Sequence, residues 1–195
     1  MNVSETYNRI ADWFAANRDQ VSYEKKYLDK LIELAGRNAD VLDLGCGTGM
    51  PIMNYLLEQG MDVTGGDSSA GMLDIARKNL PEAMFMQIDM RELALDRKFD
   101  VVLAWNSFFH LPSADQPAMF GIFEKHLKPA GLLLFTSGKE EGEAWGMNGG
   151  EHLYHASLDT AHYQALLAAH HFEVLEYVPD DETCGHLTVW LARRH

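Results

Sequence analysis

The stretch VLDLGCGTGMP, which runs from Val41 to Pro51, decides the fold. It contains an apolar run, an acid at Asp43 and glycines at positions 45, 47 and 49. Residues without side chains let the backbone turn sharply from a strand into a helix, and they let a ligand approach closely. The stretch therefore predicts a strand–turn–helix unit that holds a nucleotide-like ligand.

The spacing of the glycines distinguishes between ligands. A dinucleotide-binding turn needs glycines at relative positions one, three and six, but the sixth position counted from Gly45 is Met50. The bulky Met50 side chain would keep a helix N-terminus away from a pyrophosphate. Pro51 suits the first turn of a helix, where its missing N–H costs little. We expect a ligand without phosphates, while a nicotinamide-dependent oxidoreductase stays an alternative.

Short apolar runs alternate with helical patterns around this turn. The runs are VLDL, MDVTG, AMFMQI, FDVVLAW and GLLLFTS, and the clearest helical stretches between them are Pro51–Gln59, Ala70–Leu80 and Ser113–Leu127. Strands that are apolar on both faces and alternate with helices are typical of a parallel sheet covered on both sides. The order predicts an open, doubly wound α/β fold, which binds ligands at the carboxyl ends of its strands.

The N-terminal 36 residues predict a helical cover for this sheet. SETYNRIADWFAANR has apolar residues at helical spacing behind a cap at Ser4, and SYEKKYLDKLIELAG has them before Gly36, where a helix would end. Residues 1–36 are therefore expected to form two helices of a single domain that spans residues 1–195.

The C-terminal part predicts a lid and a closing hairpin. Residues 138–158 lack clear periodicity, and a segment of that length inside a domain is usually a functional lid loop. A helix over Asp159–Ala169 follows. The runs FEVLEYV and HLTVWLA are separated by PDDETCG, which predicts an antiparallel hairpin at the sheet edge.

Composition restricts the function classes. The chain has 195 residues, 47% of them hydrophobic and 23% charged, and a net charge of −13, so a polyanion would be repelled. Two cysteines form no disulfide framework. No signal peptide and no bilayer-length apolar stretch is visible. We expect a cytoplasmic monomer or homodimer that acts on a small molecule and binds neither nucleic acid nor membrane.

Three acids mark the ends of three consecutive predicted strands. Asp43, Asp67 and Asp89 stand at or near the ends of VLDL, VTGGD and MQID. A carboxylate after the second strand can accept hydrogen bonds from both hydroxyls of a ribose, and one after the third can accept from an exocyclic amine such as that of adenine. Since three carboxylates would repel a diphosphate, the pattern indicates an adenosine without phosphates.

The ordered motifs VLDLGCGTG, VTGGDSS, MQIDM, FDVVLAWNSFFHL and LKPAGLLLFTSG resemble class I S-adenosylmethionine-dependent methyltransferases of the small-molecule branch. The resemblance runs from Tyr7 to the C-terminus. It implies a Rossmann-like three-layer sandwich whose seven-stranded, mostly parallel sheet has the order 3-2-1-4-5-7-6 with strand 7 antiparallel. It also implies in-line transfer of a methyl group from S-adenosylmethionine to O, N or S of a small acceptor. A non-catalytic protein that binds this cofactor or its demethylated product stays an alternative.

The resemblance also implies a cofactor site. The methionine part would lie on the glycine turn, with Asp43 near its amino group and Tyr7 at its carboxylate. Asp67 would hold the ribose hydroxyls. The implied cofactor-binding residues are Tyr7, Asp43, Gly45, Cys46, Gly47, Asp67, Ser68, Met72, Asp89, Met90, Trp105 and Asn106, of which the last two would face the sulfonium side.

Catalytic residues are weakly marked, because the cofactor carries the electrophile. His110, in SFFHLP, is the first candidate for a general base, since it follows the fourth strand; a hydrogen bond to the following turn is an equally good interpretation of it. Tyr154 and His155 are weaker candidates. His155 with Glu151 and His152 matches no zinc spacing, so we expect no metal.

Two features of the sequence indicate the class of acceptor: a missing motif and frequent aromatic residues. Amino-directed nucleic-acid methyltransferases carry an Asn/Asp-Pro-Pro-aromatic tetrad after the fourth strand, whereas this chain reads WNSFF. Aromatic residues are frequent around the predicted site, which favours an apolar or aromatic small molecule, although many of them would also suit a core.

Overall fold

The computed structural model describes residues 3–18 and 23–195; residues 1–2 and 19–22, which include the predicted start of the second helix, lie outside them. The described helices are α1 (Val3–Asn17), α2 (Lys25–Ala35), α3 (Ile52–Glu58), α4 (Ala70–Asn79), α5 (Gln116–His126) and α6 (Thr160–Ala169). The described strands are β1 (Asp40–Leu44), β2 (Asp62–Asp67), β3 (Met84–Gln87), β4 (Phe99–Ala104), β5 (Leu127–Ser137), β6 (Gly142–Asn148), β7 (Glu151–Ser157), β8 (Phe172–Asp181) and β9 (Leu187–Arg194).

Seven of these strands form one sheet in the order β3-β2-β1-β4-β5-β9-β8. β1 pairs in parallel with β2 and β4, while β9 runs antiparallel to both β5 and β8. Counted along the seven strands, the order is 3-2-1-4-5-7-6 with strand 7 antiparallel, so the predicted topology is confirmed. The predicted C-terminal hairpin is the β8–β9 pair.

Both faces of the sheet are buried, as the apolar runs predict. On one face, Leu42, Val102 and Leu133 join a core that α5 and α6 cover. On the other face, Val41, Val101 and their neighbours pack with residues of α2 and α3. Alternate residues of each strand therefore serve opposite cores, which gives the three-layer sandwich.

Helix α1 lies across the carboxyl end of the sheet and packs against α4. The side-chain oxygen of Asn8 accepts hydrogen bonds from Ser69 Oγ at 2.7 Å and from Gly71 N at 2.9 Å, at the N-terminus of α4. Ser4 lies inside α1 and donates to the Ser68 carbonyl at 2.8 Å, so the prediction of a Ser4 cap is wrong. These bonds hold the helical cover over the strand ends.

Residues 142–157 form an antiparallel hairpin where the sequence predicted a loop. At its base, the buried Gln116 side chain donates to the Ala156 carbonyl at 2.9 Å, and Tyr163 donates to Gln116 Oε1 at 2.6 Å. At its tip, Gly149 lies against α1, where an added Cβ would come within 3.0 Å of Ile10 and Trp13. The hairpin thus bridges the sheet and α1.

Bilayer-spanning helices are absent from residues 3–18 and 23–195, where no helix has both the length and the apolar character to cross a membrane.

Candidate active site

A cavity of about 670 Å³ lies between the carboxyl ends of the sheet strands and the cover made by α1 and the hairpin. Its volume lies within the range of small-molecule sites. We call the lining residues of the β1, β2, β3 and β4 ends the strand-end half. The residues of α1, of the short helix Phe108–His110 and of the β6–β7 hairpin form the covering half.

Asp67 is held in place by the backbone at the centre of the strand-end half. Its carboxylate accepts hydrogen bonds from Gly47 N at 2.9 Å and Ser69 N at 2.8 Å. Burial raises the pKa of Asp67, and these backbone donors oppose the rise. A carboxylate has about four acceptor sites, so Asp67 keeps capacity for the two hydroxyls of a ribose.

Asp43 is a buried carboxylate without a hydrogen-bond partner among the described residues. It is 3% exposed, and it lines the cavity. Burial, together with the charge of Asp67, raises the pKa of Asp43 to about 7. An unpaired buried carboxylate is costly, so the site lacks the cationic donor that would complete it, and an α-ammonium group fits this need.

The glycine turn leaves no room for a side chain at its first glycine, Gly45. Gly45 has a φ of +80°, and a Cβ added there would lie 2.2 Å from Ser107 Cβ. Ser107 in turn donates to the Leu44 carbonyl at 2.6 Å, which fixes the approach of the β4 end to the β1 end. Gly47 has a φ of +56°. Cys46 lines the cavity between these glycines, and burial raises the pKa of its thiol.

The far end of the strand-end half is formed by Asp89 and its neighbours. The Asp89 carboxylate caps the short helix Met90–Glu92 by accepting from Arg91 N at 3.0 Å, and it pairs with the Arg91 guanidinium at 2.6 Å. This arginine holds the pKa of Asp89 below its usual range. Arg91 donates to both oxygens of this carboxylate, and Asp89 lines the cavity together with Met90, Met72 and Ser68.

Trp105 and Asn106 close the β4 end of the cavity. Trp105 is buried, and its ring lies 5.7 Å from that of Tyr27 on α2. Asn106 adopts a φ of +50°, and its backbone N–H donates to Thr136 Oγ1 at 2.9 Å. Both residues line the cavity, and that they face the sulfonium side stays a prediction.

Tyr7 and His110 are joined by a hydrogen bond inside the covering half. His110 Nδ1 lies 2.8 Å from the Tyr154 carbonyl oxygen, which can only accept, so Nδ1 carries the proton. Nε2 therefore accepts from the Tyr7 hydroxyl at 2.9 Å. Burial lowers the pKa of His110 to about 4 and raises the pKa of Tyr7 well above its usual value. The Tyr7 hydroxyl thus bonds the candidate base, whereas the resemblance places it at a cofactor carboxylate.

The hairpin separates the two weaker catalytic candidates. His155 pairs with Ala144 and lines the cavity, 4.7 Å from the His110 ring. The Tyr154 side chain lies on the opposite face, where its ring contacts that of Trp145 at 5.4 Å, and it does not line the cavity. Because neighbouring strand residues alternate in direction, only the Tyr154 carbonyl reaches the site, and a catalytic role for its phenol has no support in this placement.

Two lining residues, Phe14 and Arg18, were not among the predicted site residues. Arg18 pairs with the buried Glu24 at 3.0 Å and lines the cavity. Tyr7, Phe14 and Arg18 follow the spacing i, i+7, i+11, which places them on one face of a helix. That spacing is the signal that could have found them.

The residues present fit S-adenosylmethionine. Asp43 offers a carboxylate without a partner among the described residues, Asp67 offers a backbone-held carboxylate at the next strand end, and the turn between them has no room for a side chain at Gly45. A sheet of this order with such strand ends defines the class of Rossmann-like methyltransferase folds. Residues 41–131 match the model of the methyltransferase domain family.

Comparisons with known proteins agree with this assignment. The chain is 37% identical over 98 residues to the dTDP-3-amino-3,4,6-trideoxy-alpha-D-glucopyranose N,N-dimethyltransferase of Streptomyces venezuelae, covering 49% of this chain and 41% of that protein. It is 29% identical over 123 residues to the ubiquinone biosynthesis O-methyltransferase of Pasteurella multocida, covering 55% of this chain and 49% of that protein. The chain therefore spans less than half the length of these relatives.

Solved structures share the whole fold. The amino pentose methyltransferase of calicheamicin biosynthesis from Micromonospora echinaspora superposes with a TM-score of 0.73 at 20% identity, covering 95% of each chain. The 1,6-didemethyltoxoflavin-N1-methyltransferase of Burkholderia thailandensis gives 0.74 at 23% identity, over 98% of this chain and 86% of that one. The first is described with bound S-adenosylmethionine and the second with S-adenosylhomocysteine.

Proposed function

We propose that this chain transfers a methyl group from S-adenosylmethionine to a small-molecule acceptor. The observation that carries the proposal is the pair of carboxylates at adjacent strand ends: Asp43, buried and unpaired, and Asp67, held by two backbone N–H groups. The named relatives support it, since they include an amino-sugar N,N-dimethyltransferase and a ubiquinone-pathway O-methyltransferase. The net charge of −13 favours a small molecule over a nucleic acid as partner.

Each of the three strand-end acids would bind one part of the cofactor. Asp43 would pair with the α-ammonium, Asp67 with the ribose hydroxyls, and Asp89 with the adenine amine. The guanidinium of Arg18, which lines the cavity, would suit the α-carboxylate, because Tyr7 is committed to His110. When bound, the cofactor supplies an electrophilic methyl group on a sulfonium, and its sulfur leaves with the bonding electron pair.

The covering half positions the acceptor and excludes water. Orientation of two reactants can contribute about 7–11 kcal/mol to a barrier, and α1 and the hairpin surround the space in which the acceptor would meet the methyl group. We propose that the hairpin acts as the lid that the sequence predicted for residues 138–158. Its base is fixed by Gln116, so closure and opening would concern its tip against α1.

The test is turnover with a panel of amines, thiols, alcohols and phenols. The protein is incubated with S-adenosylmethionine and each acceptor, and S-adenosylhomocysteine and the methylated product are quantified by mass spectrometry. We expect S-adenosylhomocysteine to accumulate only with acceptors of one chemical class. Binding of the cofactor without any S-adenosylhomocysteine above the acceptor-free background would show a non-catalytic binding protein.

A further inference from the structure

The covering half contains a connected group of rings. The Tyr7 ring lies 5.9 Å from that of Phe14 and 5.4 Å from that of His110. The His155 ring lies 4.7 Å from His110 and 5.1 Å from Phe109. Aromatic side chains prefer edge or offset contacts with further rings. This part of the cavity therefore suits a flat ring better than a flexible polar chain.

The same region has no free carboxylate among its described lining residues. The carboxylate whose charge acts on Tyr7 is Asp67, which the ribose of the cofactor would use, and the hairpin acid Glu151 is held by Arg9 at 2.8 Å. Burial lowers the pKa of both His110 and His155, so both rings are neutral near pH 7. An ammonium group that enters this region would lose its hydration without gaining an ionic partner. An uncharged acceptor is therefore favoured over a protonated amine.

One polar atom of this region keeps unused capacity for an acceptor hydroxyl. The Tyr7 oxygen donates its proton to His110 Nε2 and can still accept a hydrogen bond. His110 is oriented from its other side by the Tyr154 carbonyl. A donor on the acceptor would thus complete a chain that runs from the acceptor to Tyr7, His110 and the hairpin backbone.

Building on the proposed function, we propose that the acceptor is an uncharged phenol, and that Tyr7 and His110 together take up its proton during methyl transfer. As the oxygen–methyl bond forms, the phenol O–H bond breaks and its proton passes to the Tyr7 oxygen. The original Tyr7 proton passes to His110 Nε2, which gives an imidazolium whose Nδ1–H still donates to Tyr154. The sulfur of the cofactor keeps the electron pair of the broken carbon–sulfur bond, so charge and atoms balance.

A weakly basic imidazole is sufficient for this step. The phenol oxygen becomes strongly acidic as it gains its third bond, so the proton is transferred downhill to a poor base late in the reaction. Before the acceptor binds, Tyr7 and His110 are both neutral because they are buried. Tyr7 is the group that contacts the acceptor, and His110 acts through it.

The experiment compares two uncharged aromatic acceptors in Tyr7→Phe and Tyr177→Phe. 4-Methylphenol must lose a proton when its oxygen is methylated, whereas the ring nitrogen of 4-methylpyridine is methylated without losing one. We expect Tyr7→Phe to lower kcat for 4-methylphenol by roughly 10²–10⁴-fold and to leave the rate with 4-methylpyridine within about tenfold of the parent. Tyr177→Phe removes a hydroxyl that bonds Thr160 at 3.0 Å outside the cavity, and it should change neither rate.

Two further measurements keep the outcome independent of turnover. Nitrogen-15 NMR should show His110 with a proton on Nδ1 and none on Nε2, and calorimetry should show 4-methylphenol binding to the S-adenosylhomocysteine complex. Equal losses for both acceptors in Tyr7→Phe would overturn the proton path. Failure of phenols to bind or react would overturn the acceptor class, whereas the proposed function fails only if S-adenosylhomocysteine itself does not bind or no acceptor of any class is methylated.

Discussion

The two halves of the cavity are built in different ways. The strand-end half takes its side chains from the ends of adjacent parallel strands. Its central acid, Asp67, accepts hydrogen bonds from the backbone of Gly47, which follows β1, and of Ser69, which follows β2. The covering half takes its groups from three elements that are distant in the chain, as in the bond between Tyr7 and His110. The first arrangement is rigid and common to a fold, whereas the second can change with each acceptor.

Because the two halves are built differently, we expect mutations in them to have different effects. Changes in the strand-end half should reduce affinity for S-adenosylhomocysteine, because its acids and glycines line the proposed cofactor position. Changes in the covering half should alter the handling of the acceptor and leave that affinity unchanged. The following predictions test this separation.

The largest effect is expected for Gly45→Ala, compared with Gly36→Ala. The φ angle is +80° at Gly45 and +83° at Gly36. A Cβ added at Gly45 would lie 2.2 Å from Ser107 Cβ, whereas one added at Gly36 would meet no described atom within 4 Å. Gly36→Ala should therefore cost about 1 kcal/mol of unfolding free energy from backbone strain, and Gly45→Ala about 3 kcal/mol or more. Urea unfolding measures both, and calorimetry should show lost S-adenosylhomocysteine binding only for Gly45→Ala. Equal costs would mean that the contact with Ser107 is relieved by movement.

The next effect concerns Asp67→Ala. Loss of the carboxylate removes the acceptor for the ribose hydroxyls and releases Gly47 N and Ser69 N. We expect the affinity for S-adenosylhomocysteine to fall by about 1–3 kcal/mol, the usual cost of losing a hydrogen bond to a charged group. An unchanged dissociation constant would place the ribose elsewhere in the cavity.

A smaller and graded effect is expected from pH through Asp43. Its pKa is raised to about 7 by burial and by Asp67, and only the ionised form pairs with an ammonium. Affinity for S-adenosylhomocysteine should therefore fall as pH drops below about 7, by up to tenfold per pH unit. Calorimetry across this range should show the slope in the parent and a flat, weaker profile in Asp43→Asn.

The same group contributes to stability with a definite sign. Because the pKa of Asp43 is raised on folding from its ordinary 3.8, the free folded protein binds more protons than the unfolded chain between that value and about 7. Its contribution to stability is therefore present at low pH and is lost as the pH rises through this window. Asp43→Asn should remove this part of the pH dependence of unfolding, and a parent without it would contradict the assignment.

The smallest effect is expected at the rim of the covering half, from Arg9→Ala. The Arg9–Glu151 pair links α1 to the hairpin tip, but the two side chains are 53% and 36% exposed. Exposed pairs contribute little because water and salt screen them. The melting temperature and the affinity for S-adenosylhomocysteine should not change, and a measurable loss of either would show that the rim supports the strand-end half.

The sequence predicted the strand-end half because its signals are local. Asp43 and the glycines lie within one short motif, and each further acid directly follows an apolar run. The buried parallel strands follow from the same runs, since strands apolar on both faces require helices on both sides. The strand order came from the family resemblance, and the structure confirms it.

The covering half could not be predicted to the same extent. Gly142, Gly146 and Gly149 weaken the strand signal of the hairpin, and its outer face exposes Trp145 and Met147, so the usual alternation of polar and apolar faces is absent. The partner of Tyr7 is 103 residues away. No local pattern encodes such a contact, which forms only when α1 and the short helix Phe108–His110 meet above the sheet.

Calorimetric titration of the parent protein with S-adenosylhomocysteine and, separately, with NAD tests the central claim most directly. We expect S-adenosylhomocysteine to bind saturably to a single site, with a lower affinity in Asp67→Ala, and we expect no heat from NAD. Binding of NAD without binding of S-adenosylhomocysteine would contradict it.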